Sequence, residues 1–234
     1  PAYFGSSAFI DFIHSLQLDI SGADISFAAP LSFDAEIKKG DIRVSDMFNL
    51  YKYENMLYVM KLSGKEIKDF LEESYYMWTN QMKSPEDHLL WLKEKRRAGA
   101  EDRASFQNFS FNFDSAAGII YTVDVTRPKG EKVTIVSMAD GSPFRMDHIY
   151  KVALNSYRGN GGGELLTKGS GIPQEKLKER IIFSTDKDLR FYLMQYIEKK
   201  GTLDPRALNQ WKFVPEEWVK PAAERDYEYL FGGK

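Results

Sequence analysis

Met56-Leu57-Tyr58-Val59-Met60-Lys61-Leu62-Ser63-Gly64-Lys65-Glu66-Ile67 is the stretch on which the fold turns. Its first seven residues are apolar but for Lys61 and read as a strand. Ser63 and Glu66 then form a Ser-x-x-Glu capping box, in which hydroxyl and carboxylate satisfy each other's exposed backbone donors. A helix follows, carrying Ile67, Phe70, Leu71 and Ser74 at helical spacing.

Upstream, Phe9, Ile10, Phe12, Ile13 and Leu16 recur at helical spacing after the cap candidates Ser6 and Ser7. Residues 23–29 read as a strand stopped by Pro30, and Ser45 as the cap of a short helix through Leu50. Downstream, Ser84-Pro85-Glu86-Asp87 carries the marks of a helix start, with proline at the first helical position and acids at the positive end. That helix is expected to end near Lys95-Arg96-Arg97. Because residues 79–110 are mostly polar and charged, they read as a surface insertion. Residues 119–125, 133–137 and 150–154 alternate around turns at Pro128-Lys129-Gly130 and Asp140-Gly141, and predict an antiparallel meander. A helix is expected over 186–200, stopped by Gly201, and residues 201–234 read as an irregular tail. The expected fold is α+β, with a mixed, largely antiparallel sheet flanked by helices, in a single domain over 1–234.

Composition bounds the function. The chain has 234 residues, 43% hydrophobic and 14% aromatic, enough for a core without staples. It has no cysteine, which excludes a disulfide framework and a thiolate metal site. A formal charge of −2 gives no basic footprint for nucleic acid. No apolar run reaches the ~20 residues of a membrane span. Pro1-Ala2-Tyr3-Phe4-Gly5 is neither an initiator nor a signal peptide, so the chain is expected to begin partway through a longer precursor.

Catalytic constellations are missing from the sequence. The three histidines, His14, His88 and His148, show no metal-ligand spacing and read as core or surface residues. No Gly-x-Ser-x-Gly elbow occurs. The acid pairs Glu72-Glu73 and Glu216-Glu217 read as solvated surface. The one unusual segment is Asn155-Ser156-Tyr157-Arg158-Gly159-Asn160-Gly161-Gly162-Gly163, following an apolar strand. It ends in Glu164, which fails both the Walker loop and the dinucleotide fingerprint. Either it is a glycine-rich turn or its backbone closely approaches a ligand.

Two segments in order bring a family into view. Residues 50–67, continuing to Leu71-Glu72-Glu73-Ser74, and residues 150–163 resemble the C-terminal domains of 5'-nucleotidases. Ala23-Asp24-Ile25-Ser26 and Gly40-Asp41-Ile42 agree with it. The resemblance implies a domain that grips a nucleoside between two aromatic rings, for an N-terminal metallophosphoesterase domain that hydrolyses the ester with two metal ions. Carried over, the rings fall on Tyr53 and Tyr157, with Asn155, Arg158, Asn160, Gly161 and Gly162 beside them as substrate-binding residues. Divalent metals are expected only in that partner domain, and none as a cofactor of this chain. A bacterial periplasmic or cell-surface location goes with the family. Two departures stand out: the family's loop aspartate is Gly163 here, and the loop that carries its asparagine and arginine falls on residues 26–31, ending in Leu31. The alternative reading is a degenerate, non-catalytic binding or interaction module of the same fold.

Overall fold

In the computed structural model, which describes residues 2–33, 37, 39–93 and 105–232, the stretch read first is the centre of the molecule. Strand β2 (Met56–Ser63) runs into helix α3 (Gly64–Trp78). The capping box forms: Ser63 Oγ accepts from Glu66 N at 3.2 Å, and Glu66 Oε2 accepts from Ser63 N at 2.7 Å. The helix buries Ile67, Phe70, Leu71, Tyr75 and Trp78, one apolar face at three- and four-residue spacing. Each such side chain contributes about 1.5–3 kcal/mol through burial.

Five strands make the main sheet, in the order β3 (Ser115–Ala117), β1 (Ile25–Ala28), β6 (Ile149–Asn155), β2, β7 (Ile181–Asp188). Only the β1–β6 pair is parallel. Side chains alternate across β6: Val152 and Leu154 join the core shared with α3, while Ala153 joins the core on the opposite face. That opposite face is covered by α1 (Ala8–Ser21), α2 (Val44–Leu50) and α6 (Leu189–Lys200). On the α3 side, Phe27 of β1 stacks on Phe70 with centroids 4.0 Å apart. A second sheet, ordered β5 (Val133–Met138), β4 (Ile119–Asp124), β8 (Trp211–Val214), closes that side together with α7 (Glu216–Phe231). The fold is the mixed, largely antiparallel α+β architecture that the sequence implied.

Several local expectations are corrected. The meander splits: β4 and β5 pair as a hairpin, but β6 leaves them and inserts between β1 and β2. Residues 84–87 form a turn instead of a helix start, because the Asp87 carboxylate accepts from Lys83 N and Ser84 N, and Leu90 and Leu92 then make isolated β-bridges to Thr79 and Phe106. The remainder of that expected helix lies outside the described residues. Nor is the 79–110 stretch wholly surface, since Met82, Leu89, Leu90 and Phe106 are buried in the main core. The tail is ordered as β8 and α7, with Ala222, Asp226 and Leu230 buried. Pro215 precedes the first turn of α7, and Pro221 lies within it. Helix α2 starts at Val44, with Asp46 Oδ2 accepting from Arg43 N, so Ser45 is not its cap. Strand β7 occupies the start of the stretch expected as α6, whose cap is Asp188.

Glu72 and Glu73 are buried, not solvated. The Glu72 carboxylate accepts from Gly130 N, Lys132 N and Val133 N, fastening the β4–β5 turn to α3. Glu73 pairs with Lys129 and Lys168. His14 is a core residue bonded to Ser26 Oγ at 2.9 Å and Ser115 Oγ at 3.1 Å, and burial pushes its pKa down to about 3. His88 pairs with the buried Asp226 of α7.

Candidate functional site

Strands β2 and β6 are antiparallel neighbours, with Leu57 opposite Asn155. The start of one and the end of the other therefore lie at the same end of the sheet. Tyr53 sits three residues before β2, and Tyr157 two residues after β6. Both stay partly open to solvent, 38% and 42% exposed. Ser156 Oγ accepts from Met56 N at 3.1 Å and ties the two segments together.

The expected site residues divide into two groups. Asn155 is nearly buried, and its Oδ1 accepts from Arg158 N at 2.9 Å, capping the short helix α4 (Ser156–Gly159). Arg158 is turned inward, only 1% exposed. Its guanidinium donates to Asn112 Oδ1 at 3.2 Å, to the Phe111 carbonyl at 3.1 Å, to the Gly162 carbonyl and to the Asp114 carboxylate. These two residues were expected at the substrate. Arg158 Nη1 and Nη2 are spent on protein acceptors while its buried Nε has no partner, and Asn155 Oδ1 is spent on the α4 cap, so both residues hold the loop in shape. Asp114 is itself buried, which raises its carboxyl pKa, while the Arg158 charge opposes the rise. Asn160 is exposed, and Gly161 and Gly162 are half-buried. The Asn160 carbonyl accepts from Gln174 Nε2 at 3.0 Å, bracing the loop from its far side.

Two glycines are required by the protein's own side chains. A Cβ on Gly162 would lie 2.5 Å from the Tyr157 ring, so that ring rests directly on the loop backbone. Gly163 has φ +70°, and a Cβ there would meet Asn112 Oδ1 at 2.2 Å and Arg158 Nη1 at 2.3 Å. The loop's glycines make room for Tyr157 and Arg158. Tyr157 is further steadied by Phe111, edge to face at 6.2 Å and 81°.

The sequence reading missed the segment Asn108-Phe109-Ser110-Phe111-Asn112-Phe113-Asp114, which supplies Arg158's partners and the ring beside Tyr157. Its strict polar–aromatic alternation was the available signal. The stretch that stands in for the family's asparagine–arginine loop, residues 26–31, is buried throughout. Leu31 packs in the apolar cluster with Ile10, Ile13 and Leu57, where an arginine would be a buried charge. Among the described residues, no group of three or more histidines and acids is placed to hold a metal ion. No helix among them is long and apolar enough to cross a membrane.

Comparison with known proteins agrees with this architecture. The family described as 5'-nucleotidase, C-terminal domain, matches residues 1–168, and the chain belongs to that family. A trifunctional nucleotide phosphoesterase of Bacillus subtilis is 29% identical over 225 residues, covering 87% of this chain and 14% of the relative. A 2',3'-cyclic-nucleotide 2'-phosphodiesterase/3'-nucleotidase of Salmonella typhimurium is 29% identical over 205 residues, covering 80% of this chain and 28% of the relative. The solved structure of a 5'-nucleotidase precursor from Thermus thermophilus superposes with a TM-score of 0.62 at 21% identity, over 87% of this chain and 34% of that one. The chain thus spans a minor part of each of these proteins' lengths.

Proposed function

We propose that this domain holds the nucleoside part of a nucleotide-like phosphate ester between Tyr53 and Tyr157, and presents it to a metal-dependent phosphoesterase domain outside these residues. The observation that carries the reading is the placement of two partly exposed tyrosines at one end of adjacent strands, one of them with its ring laid on a glycine backbone. A flat base offers two π-faces, and stacking on a fixed ring needs no charged partner. Names of the relatives, which hydrolyse nucleotide esters, support the substrate class. Divalent metal ions belong to the partner domain in this reading, and the whole protein acts in nucleotide breakdown in the bacterial periplasm or at the cell surface.

One observation favours the other reading, a module of the same fold that no longer binds substrate. Leu31 is core, and Gly163 is closed over by Arg158 and Asn112, so neither family position offers a polar clamp. Titration of the 234-residue chain with adenosine separates the two. The proposal expects weak, saturable binding that falls by about 1–3 kcal/mol on Tyr53→Ala or on Tyr157→Ala. Binding unchanged in both variants, or no binding at all, would favour the degenerate module.

A further inference from the structure

Tyr157 is held by its glycine loop and by Phe111. Tyr53 stands instead in an arch of three exposed residues, 52–54, between two fixed ends. Before the arch, Tyr51 is buried, and its N–H donates to the Met47 carbonyl at 2.8 Å. After it, Leu57 N donates to Thr185 Oγ1 at 3.0 Å, and the Asn55 carbonyl accepts from the N–H of Leu189, the first residue of α6, at 2.8 Å. The next residue of α6, Arg190, is only 8% exposed and reaches both sides of the arch. Its guanidinium lies over the Phe48 ring of α2, 4.1 Å from the centroid, and its Nη2 donates to Glu54 Oε1 at 3.3 Å. Asp188, which caps α6 by accepting from Phe191 N, lies 3.8 Å from the same Nη2. Phe48 precedes Tyr53 and Glu54 follows it, so one side chain spans the segment that carries the ring.

We infer that Arg190 is a positioning residue of the site, which fixes the arch so that Tyr53 is already in place when a base arrives. Glu54 is exposed, and an exposed ion pair ordinarily contributes little, because ordering two long side chains offsets the attraction. Here Phe48 and Asp188 have already ordered the guanidinium, and only Glu54 is left to order. A guanidinium lays a flat face on a ring while its edge donates to a carboxylate, a pairing of roles that the point charge of a lysine reproduces poorly. A ring fixed before binding loses little of its stacking to ordering. Arg190 lies beyond residues 1–168, the part matched by the family, so on this reading the junction of β7 and α6 completes the site. The inference rests on the proposed stacking of a base on Tyr53 and extends it.

Titration of the 234-residue chain with adenosine, followed by NMR shifts that read millimolar affinities, tests it. Adenosine carries no charge, so loss of the Arg190 charge does not act through attraction to the ligand. Glu54→Ala, on the exposed arch, and Arg190→Met should each weaken binding about three- to tenfold, the range set by ordering one or two side chains at binding. On a Tyr53→Ala background, Arg190→Met should change the affinity by less than about twofold, because the ring it positions is gone. Both variants binding within about twofold of the unaltered chain, while Tyr53→Ala binds more weakly, would overturn the role of Arg190 and leave the stacking standing. An Arg190→Met loss of the same size with and without the Tyr53 ring would overturn it too. If Tyr53→Ala does not weaken binding, the proposed stacking and this inference fall together. Should Arg190→Met fail to fold, Glu54→Ala and its combination with Tyr53→Ala decide the matter in the same way.

Discussion

Replacing Arg158 by methionine is the sharpest test of how the site is held. The side chain and its partner Asp114 are 1% and 2% exposed, so neither charge has water to fall back on. Methionine fills similar space and removes every donor. The Asp114 carboxylate then stays buried without its counter-ion, and Asn112 Oδ1 and the Phe111 and Gly162 carbonyls each lose a bond. Breaking a buried pair from one side costs about 3–5 kcal/mol. For a chain of this length that corresponds to roughly 6–20 °C in Tm. Burial already holds the Asp114 carboxyl above its ordinary value of 3.8, and Arg158 pulls it back down. A carboxyl whose folded pKa is raised favours folding below its unfolded value, and that contribution is lost as pH rises through the folded pKa. Without Arg158 the folded value climbs further. The deficit of the variant is therefore smallest in acid, where Asp114 is protonated in both states, and grows towards neutral pH. Urea unfolding at pH 3, below the ordinary value of 3.8, and at pH 7 measures both effects. The double variant Arg158→Met/Asp114→Asn should lose less than the sum of the single losses, because no buried charge is stranded. A loss under about 1 kcal/mol for Arg158→Met at pH 7 would refute the reasoning, since values that small belong to exposed pairs.

Two further outcomes follow from the same coordinates. Gly163→Asp, which restores the acid found in the family, should destabilise the chain by about 2 kcal/mol or more and leave nucleoside binding no stronger, because φ is +70° and the new Cβ would strike Asn112 and Arg158; thermal melting and titration with adenosine check this, and a stable, tighter-binding variant would contradict it. Excising residues 80–92 should abolish cooperative unfolding, because Met82, Leu89 and Leu90 leave the core at about 2–5 kcal/mol each, comparable with the whole stability of a typical domain; a sharp melting transition in the excised chain would show that this stretch is dispensable.

What could be read from the sequence was what short-range chemistry determines. The β2–α3 unit was legible because the Ser63–Glu66 box and the apolar spacing both lie within a few residues. Helix α1 was legible for the same reason, with Ser7 as its cap. The strands β4, β5 and β6 were each recognisable from alternation, but their partners were not. Pairing is a long-range choice, and β6 finds β1 and β2, more than eighty residues upstream, instead of the adjacent hairpin. Strand β7 escaped because it is an edge strand, exposed on most positions, and so lacks an apolar pattern. Leu89 and Leu90 were hidden among charges; two buried residues do not make a period.

The glycine loop shows why the site itself was only half legible. Glycines beside an aromatic residue, at the end of a buried strand, suggest a backbone laid bare for a ligand, and from sequence nothing distinguishes that from a backbone laid bare for the protein. The structure separates the two by what a Cβ would strike. At Gly162 it strikes the Tyr157 ring, and at Gly163 the Arg158 guanidinium and Asn112. The loop is a mould for two of its own side chains, one turned in to Asp114 and one turned partly out. Arg158 was grouped with the ligand because arginine at a site usually reads as a cation for an anion; its carboxylate, Asp114, lies forty-four residues away and could not be paired with it by eye. In the proposed function, chemistry towards a ligand is therefore left to rings more than to charges. Tyr157 has its ring backed by Gly162 and braced by Phe111, and a planar group meeting its open side finds a surface already fixed, so little of the stacking energy is spent on ordering the protein.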